Sequence, residues 1–367
     1  MQIVDLKELS LAEFSLKMAL SRGGASRVRT RRDVTDGLRT VFWYRGVEER
    51  TGLRSAYALE MHFEPESFSA GSPRKKWGKY RCGIHVPTEG LVNRVEAECP
   101  GLRRELNHLV WQIVKQCETS LHQIELWLGQ LGPSVQEVLQ RRDKLRQAGE
   151  STHAVIDRRL VASLERRAGL DALAAIILLL RRAHLTGKTN EAHEWGRNLY
   201  RMLTILGITL RRRGIAQPFF ELIERNVMAD LNHQGIRYWL PTQQYRQTVL
   251  SLCNALYHIK DVPYRSMSAE QKNVYMSKIL NGCYGWDYKF AFNPIKQWAS
   301  PATSPLPDIL KDLQISIWLY QWAWNMLSIG SHRQFPPAEV FLGTNLWARE
   351  QEDWPSLHRP DPPTATI

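Results

Sequence analysis

The chain has 367 residues, and its 49 lysines and arginines against 37 aspartates and glutamates give a net charge of +12. Hydrophobic residues make up 43% of the sequence, which is enough for a packed core and excludes a largely disordered protein. No apolar stretch reaches the roughly 20 residues of a membrane span, and the five scattered cysteines indicate no disulfide framework. The first residues lack the order of a signal peptide, so we expect a basic, cytoplasmic protein without membrane contact.

The excess positive charge lies in the first 240 residues. Residues 1–110 hold 19 basic and 14 acidic residues, residues 111–240 hold 19 and 13, and residues 241–367 hold 11 and 10. Two segments, residues 22–32 and 74–81, each carry five basic residues and no acidic one. Because phosphates attract such clusters through counterion release and bidentate arginine contacts, we expect both to gather on one face that binds nucleic acid. A solvated basic face or an acidic protein partner is the alternative.

The pattern within residues 1–100 predicts an α+β module. A capping box at Ser10, followed by apolar residues at helical spacing, predicts a first helix over residues 10–21. Apolar and polar residues alternate along residues 57–64, which is typical of a half-buried strand. The aromatic run at residues 41–44 precedes it across a glycine-flanked turn, so we expect a β-hairpin.

Residues 101–240 have the pattern of a helical bundle. Apolar residues recur at helical spacing, and Gly132, Pro133 and Gly187 interrupt the pattern where helices should end. Residues 170–183 are apolar on nearly every side, so we expect a central buried helix there. The predicted fold class is therefore mainly α, with an N-terminal α+β module that contains a β-hairpin, followed by a multi-helix bundle.

The last third, residues 241–354, is nearly neutral and rich in tryptophan. It mixes helical patterns with an aromatic strand candidate at residues 286–292. Trp318 and Trp322 lie one helical turn apart, which predicts either core packing on the bundle or an interface with a protein partner. Four prolines within residues 355–367 predict a disordered tail.

The basic segment at residues 74–97 can form two short helices around a turn. A cationic stretch bearing Trp77 is followed by Gly83, and Pro87 precedes a second stretch of helically spaced apolar residues. In this outline the segment resembles part of a Cro/repressor-type helix-turn-helix domain. The resemblance spans 24 residues and implies that Trp77 packs inward while the cations of the first helix face DNA; a basic surface loop is the alternative.

Across both basic segments we predict a set of nucleic-acid contacts made by the cations, with two aromatic residues as packing or stacking groups. The cations are Arg27, Arg29, Arg31, Arg32, Lys75, Lys76, Lys79 and Arg81, and the aromatic residues are Trp77 and Tyr80.

One arrangement could carry catalysis. Asp287 and Lys289 lie two residues apart on the predicted strand, so both face the same side. This resembles metal-dependent nucleases of the PD-(D/E)xK kind, which implies that Asp287 holds Mg²⁺ and Lys289 positions the attacking water. Asp261 or Glu270 would supply the further acid. The cysteine and histidine spacings match no familiar zinc site and no nucleotide-binding motif is complete, so we otherwise expect no metal and no cofactor.

Together these patterns favour a non-catalytic protein that binds nucleic acid, DNA rather than RNA, in a regulatory role. Two alternatives stay open. One is a scaffold or effector subunit in a multiprotein assembly of a mobile element or phage-defence locus, which docks through its tryptophan-rich third. The other is a metal-dependent nuclease that uses Asp287 and Lys289.

Overall fold

The computed structural model describes residues 10–20, 33–66, 76–147, 155–258, 266–299, 305–330 and 335–336. These residues belong to two units. The first lies within Met1–Ser120 and Gly207–Ala229, and the second within Leu121–Leu206 and Asp230–Ile367. Residues 207–229 belong to the first unit although they are distant from it in sequence. The domain boundaries expected at residues 100 and 240 stay predictions.

Helices account for most of both units, and the mainly α prediction is confirmed. In chain order the first helices are α1 (Leu11–Leu20), α2 (Val34–Thr51), α3 (Ala56–Phe63), α4 (Lys76–Arg81), α5 (Glu89–Glu98), α6 (Leu102–Leu106), α7 (Leu109–Lys115), α8 (Leu121–Gln130), α9 (Pro133–Gln147) and α10 (Arg158–Arg166). They are followed by α11 (Leu170–Leu185), α12 (Thr189–Arg212), α13 (Ala216–Ile223), the π-helical turn Glu224–Met228, β1 (Ile236–Trp239), α14 (Thr242–His258), α15 (Ala269–Leu280), α16 (Trp286–Phe292), β2 (Ile295–Trp298) and α17 (Pro307–Ser328). None of the described helices is both long and apolar enough to cross a membrane.

The predicted N-terminal hairpin is wrong, because both of its strands fall within helices α2 and α3. On α3, Leu59 and Phe63 are buried while Tyr57 and Met61 are exposed. Each pair is four residues apart, a spacing that fits a helical turn as well as it fits strand alternation. The antiparallel pair of strands that the structure describes is formed instead by β1 and β2 in the second unit.

Capping residues set the limits of α2 and α3. The carboxylate of Asp33 accepts a hydrogen bond from the backbone N–H of Thr35 at 2.8 Å, and the hydroxyl oxygen of Ser55 accepts one from Ala58 N–H at 3.0 Å. Gly52 ends α2 with a φ of 74°, in the left-handed region that favours glycine. These local contacts satisfy the helix termini and favour helices over the expected strands.

The second unit contains the central buried helix that the sequence predicts. Every residue of α11 from 172 to 181 is buried. The expected breaks are also present, since α8 ends at Gln130, α9 begins at Pro133, and Gly187 lies between α11 and α12 with a φ of 71°. In this part of the chain, apolar residues on every side correctly predict a buried helix, and glycine or proline residues correctly predict where helices end or begin.

The aromatic strand candidate of the last third is the helix α16, so that prediction is wrong. Its rings pair at a spacing of four residues: Trp286 with Phe290 at 5.5 Å, and Tyr288 with Phe292 at 5.6 Å between centroids. The strand β2 follows directly and pairs with β1 in antiparallel register. The tail predicted to be disordered, residues 355–367, lies outside the described residues.

Candidate nucleic-acid interface

Two aromatic side chains anchor α4. Trp77 is fully buried and stacks on Trp43 and on Phe63, with ring centroids at 5.9 and 5.5 Å. Tyr80 is also buried and meets Trp43 edge-on at 6.3 Å. Such packing is needed because a helix of six residues has little stability of its own in water. One face of α4 is therefore held by the core, and the opposite face is turned to solvent.

A buried carboxylate lies at the first residues of α4. Glu64 is only 8% exposed, and its Oε2 accepts a hydrogen bond from the indole Nε1–H of Trp77 at 3.1 Å. Its Oε1 lies 3.3 Å from the ammonium of Lys76 and 3.5 Å from Nη2 of Arg94 on α5. Charge-assisted hydrogen bonds of this kind offset the cost of burying a carboxylate. Glu64 therefore joins α3, α4 and α5.

The turn after α4 requires a glycine. Gly83 has a φ of 70°, and a Cβ at this position would lie 2.8 Å from the carbonyl oxygen of Gly37. Pro87 is buried, and α5 then places Leu91 and Val95 in the core. The structure thus contains two short helices around a turn, while the resemblance to Cro/repressor-type domains remains a prediction.

Lys79 and Arg81 are exposed on α4, and neither side chain has a hydrogen bond or ion pair within the described part of the chain. Lys76 differs because it is paired with the buried carboxylate. Trp77 and Tyr80 are too buried to stack on a base, so their burial supports the packing role. The other predicted contacts lie outside the described residues: Arg27, Arg29, Arg31, Arg32 and Lys75.

Most other described cations of the first unit are paired with carboxylates, which reduces the positive potential that the sequence indicates. Their nitrogen–oxygen distances lie between 2.5 and 3.6 Å. The pairs are Arg39 with Asp36, Arg45 with Glu48, Arg50 with Glu105, Arg94 with Glu66, Arg103 with Glu89, Lys115 with Asp33, and Arg212 with Glu49. Arg54 and Arg225 are likewise exposed without a carboxylate partner among the described residues. Only Lys79 and Arg81 lie on the short helix that the resemblance assigns to DNA, so the candidate interface is centred on these two.

The expected nuclease residues do not form the arrangement on a strand that was predicted for them. Asp287 and Lys289 lie on the helix α16. Side chains two residues apart on a helix are rotated by about 200° around its axis, so these two face nearly opposite sides. Asp287 is fully buried, and the ammonium of Lys289 lies 5.8 Å from the ring centroid of Trp286. Glu270 is exposed and pairs with an arginine at 3.1 Å, and Asp261 lies outside the described residues.

The structure brings together two histidines that the sequence did not connect. His193 on α12 is 5% exposed, and its ring stacks on Tyr238 with centroids 4.3 Å apart. The His233 ring lies 6.0 Å away, and Nε2 of His193 has no hydrogen-bond partner among the described residues. The histidines are 40 residues apart in sequence, so no local pattern could have paired them. In the part of the chain that the structure describes, no group of three or more His, Cys, Asp or Glu could hold a metal ion.

The tryptophan-rich helix α17 is only partly buried. Leu319 packs with the core, whereas Trp318 is 39% exposed and stacks on Trp322 with ring centroids 6.4 Å apart. Leu310 and Ile317 are also exposed, by 44% and 40%. A protein partner for this helix remains a prediction.

The fold and the site define a mainly helical protein of two units, in which an aromatic core holds a short cationic helix. Comparisons with protein-family models, with curated proteins and with solved structures found no match to this chain. We therefore infer a function from the contacts of α4 and its neighbours alone.

Proposed function

We propose that this protein binds nucleic acid, double-stranded DNA rather than RNA, through the exposed face of α4 and without catalysing a reaction. One observation supports this proposal most directly. Lys79 and Arg81 are exposed and have no carboxylate partner among the described residues, while Trp77 and Tyr80 fix their helix from the core side. An unpaired cation on a fixed helix can bind a phosphate without first losing a carboxylate or ordering the backbone.

The surroundings of α4 also fit this function. Two short helices around a turn are the arrangement that the Cro/repressor resemblance implies, and phosphate contacts from such helices set the position of a protein on a duplex. The net charge of +12 favours association with a polyanion at low salt. Arg27, Arg29, Arg31, Arg32 and Lys75, which lie outside the described residues, stay predicted contacts.

The double substitution Lys79→Ala/Arg81→Ala tests the proposal. We expect it to weaken binding to a random-sequence DNA duplex by about tenfold or more at low salt, because two phosphate contacts are lost. The slope of log affinity against log salt should decrease by about 2, roughly 1 for each lost contact. Fluorescence anisotropy with a labelled duplex at about 50 to 200 mM salt measures both quantities. An RNA duplex of the same sequence tests the preference for DNA.

A matched control separates local contacts from net charge. Arg159→Ala/Arg225→Ala also removes two exposed cations, but neither belongs to the proposed interface. We expect this variant to bind within about twofold of the wild type. Equal losses in both double variants, or a wild type that shows no salt-dependent binding, would contradict the proposal.

A further inference from the structure

We propose that Glu64 determines which cations of α4 reach the nucleic acid. Its carboxylate keeps the Lys76 ammonium in an ion pair and holds the Trp77 indole in the core. Lys79 and Arg81 are then the side chains of α4 that contact the nucleic acid. This inference rests on the proposed function. Glu64 itself is a positioning residue, since it is buried and acts through the side chains that it binds.

The two oxygens of Glu64 have different partners. Oε2 accepts the indole hydrogen bond of Trp77, for which a neutral amide oxygen would serve equally well. Oε1 faces two cations, Lys76 at 3.3 Å and Arg94 at 3.5 Å. Only this second set of contacts requires the negative charge. A carboxylate that is 8% exposed is costly without cationic partners, so Glu64 holds Lys76 more firmly than an exposed acid would.

The charges at this corner of the first unit balance. Arg94 uses Nη1 to bind Glu66 at 2.7 Å while its Nη2 faces Glu64, and Lys76 faces the same Glu64 oxygen. Two carboxylates and two cations therefore form one connected group without net charge. An approaching phosphate meets no excess positive charge at Lys76, because the ammonium is already matched.

The opposite end of α4 is different. Glu60 lies one turn before Glu64 on α3 and is 3% exposed, so it adds negative charge on the core side of α4. Burial, together with the carboxylates of Glu64 and Glu60, raises the pKa of Tyr80 to about 12, so this phenol is neutral at physiological pH. Among the described residues no carboxylate pairs with Lys79 or Arg81. On α4, the positive charge available to a ligand therefore lies on these two side chains.

A double-mutant cycle tests this inference with four full-length proteins: the wild type, Lys76→Ala, Glu64→Gln, and the double variant. We expect Lys76→Ala alone to change duplex affinity by less than about twofold, since Lys76 is withheld in the wild type. Glu64→Gln keeps an acceptor for Trp77 but releases Lys76. It should therefore bind about threefold to tenfold more tightly, with a salt slope steeper by about 1. In the double variant this gain should disappear.

The control is Glu66→Gln, which removes the same charge from an exposed carboxylate that does not contact Lys76. Any gain in this variant should be smaller than in Glu64→Gln and should persist when Lys76 is replaced by alanine. A merely structural role for Glu64 predicts no gain at all. The inference is overturned if Lys76→Ala weakens the wild type as much as Lys79→Ala does, or if the gain of Glu64→Gln survives without Lys76.

A second measurement separates this failure from failure of the proposed function. The indole N–H resonance of Trp77 reports its hydrogen bond to Glu64 without any nucleic acid. We expect Glu64→Gln to keep this resonance near its wild-type position and Glu64→Ala to shift it, with thermal melting confirming that both variants are folded. If no variant binds a duplex, both the function and the withholding of Lys76 are wrong. If the resonance does not depend on residue 64, the positioning of α4 by Glu64 is wrong.

Discussion

Burial changes the acid–base chemistry of His193. Loss of hydration lowers its pKa from 6.5 to about 4, because the charged imidazolium is poorly solvated inside the protein. Glu194 opposes this effect on the pKa, whereas His233, Lys296 and Arg197 lower the pKa further. The folded protein therefore keeps a neutral imidazole at a pH where an unfolded chain would bind a proton.

His193→Phe tests this linkage. Between pH 6.5 and about 4 the unfolded wild type binds more protons at this residue than the folded form, so acidification favours unfolding. The free energy of unfolding should fall by about 1.4 kcal/mol per pH unit through His193 alone within this window. Phenylalanine keeps a ring beside Tyr238 but cannot bind a proton, so its stability should fall less steeply. Urea denaturation at a series of pH values measures the difference.

The exposed His184 provides the control. His184→Phe should retain the full pH dependence of the wild type. Parallel stability curves for the wild type and His193→Phe across the acidic range would show that burial of this imidazole does not contribute.

Gly83→Ala tests the backbone requirement of the turn after α4. Alanine at a φ of 70° costs about 1–2 kcal/mol, and its Cβ would also crowd the carbonyl oxygen of Gly37 at 2.8 Å. We expect a loss of about 2 kcal/mol or more in the free energy of unfolding by urea. Gly90→Ala on α5 is the matched control, because its Cβ meets nothing within 4 Å and helical geometry favours alanine. Similar losses at both positions would argue against a special role for the turn.

Among the elements of the second unit, α10, α12 and α15 are joined by a buried ion pair. Nε of Arg201 donates to Glu165 at 2.7 Å, and Nη2 donates to the other carboxylate oxygen at 3.1 Å. The guanidinium also donates to the amide oxygens of Asn281 at 2.8 Å and Asn293 at 3.0 Å, and the Ser277 hydroxyl donates to Glu165. Both charges are thus compensated by a nearly complete set of hydrogen bonds.

Arg201→Met should lower the free energy of unfolding by about 3–5 kcal/mol, because Glu165 would remain buried and unpaired. Replacing both residues, in Glu165→Met/Arg201→Met, should recover much of this loss. Arg182→Met is the control, since its partner Glu125 is exposed and an ion pair with an exposed carboxylate is worth less than about 1 kcal/mol. Chemical denaturation of the four proteins measures these effects, and a double variant no more stable than Arg201→Met would contradict the explanation.

Sequence patterns predicted elements well where only one period fits. The helix α11 follows from apolar residues on every side, and Pro133 and Gly187 mark helix limits correctly. The patterns failed where aromatic and aliphatic residues alternate over one or two turns, as at residues 57–63 and 286–292. In such short segments, residues i and i+4 lie on the same face of a helix and also on the same face of a strand, so their spacing does not separate the two. At residues 57–63, the N-cap at Ser55 was the local signal that could have distinguished a helix from a strand.

The candidate site was predictable in part. Gly83 and Pro87 indicated the turn, and the inward side chain of Trp77 followed from the resemblance. Its partner Glu64 was not predictable, because it lies 13 residues earlier in a segment interpreted as a strand. Which cation stays unpaired depends on where α3 and α5 place their carboxylates, and composition alone does not contain that information.

For the whole molecule, net charge is a poor guide to the surface that a ligand meets. The chain carries a charge of +12, yet most described cations of the first unit are already matched by carboxylates. Long-range attraction of a polyanion depends on the net charge of the protein. The contact itself depends on the few cationic side chains that are not paired with a carboxylate. This distinction is why a pair of substitutions on α4 should matter more than an equal change of charge elsewhere.

The first unit is built from two separated stretches of chain, and this affects how it can form. Phe219 on α13 packs against Trp111 on α7, and Glu221 accepts a hydrogen bond from the backbone N–H of Leu11 at 2.6 Å. A fragment cut after residue 120 would lack these partners and expose their apolar surfaces. During synthesis, the amino-terminal helices emerge from the ribosome long before residues 207–229. They therefore stay incompletely packed while the intervening 86 residues are made.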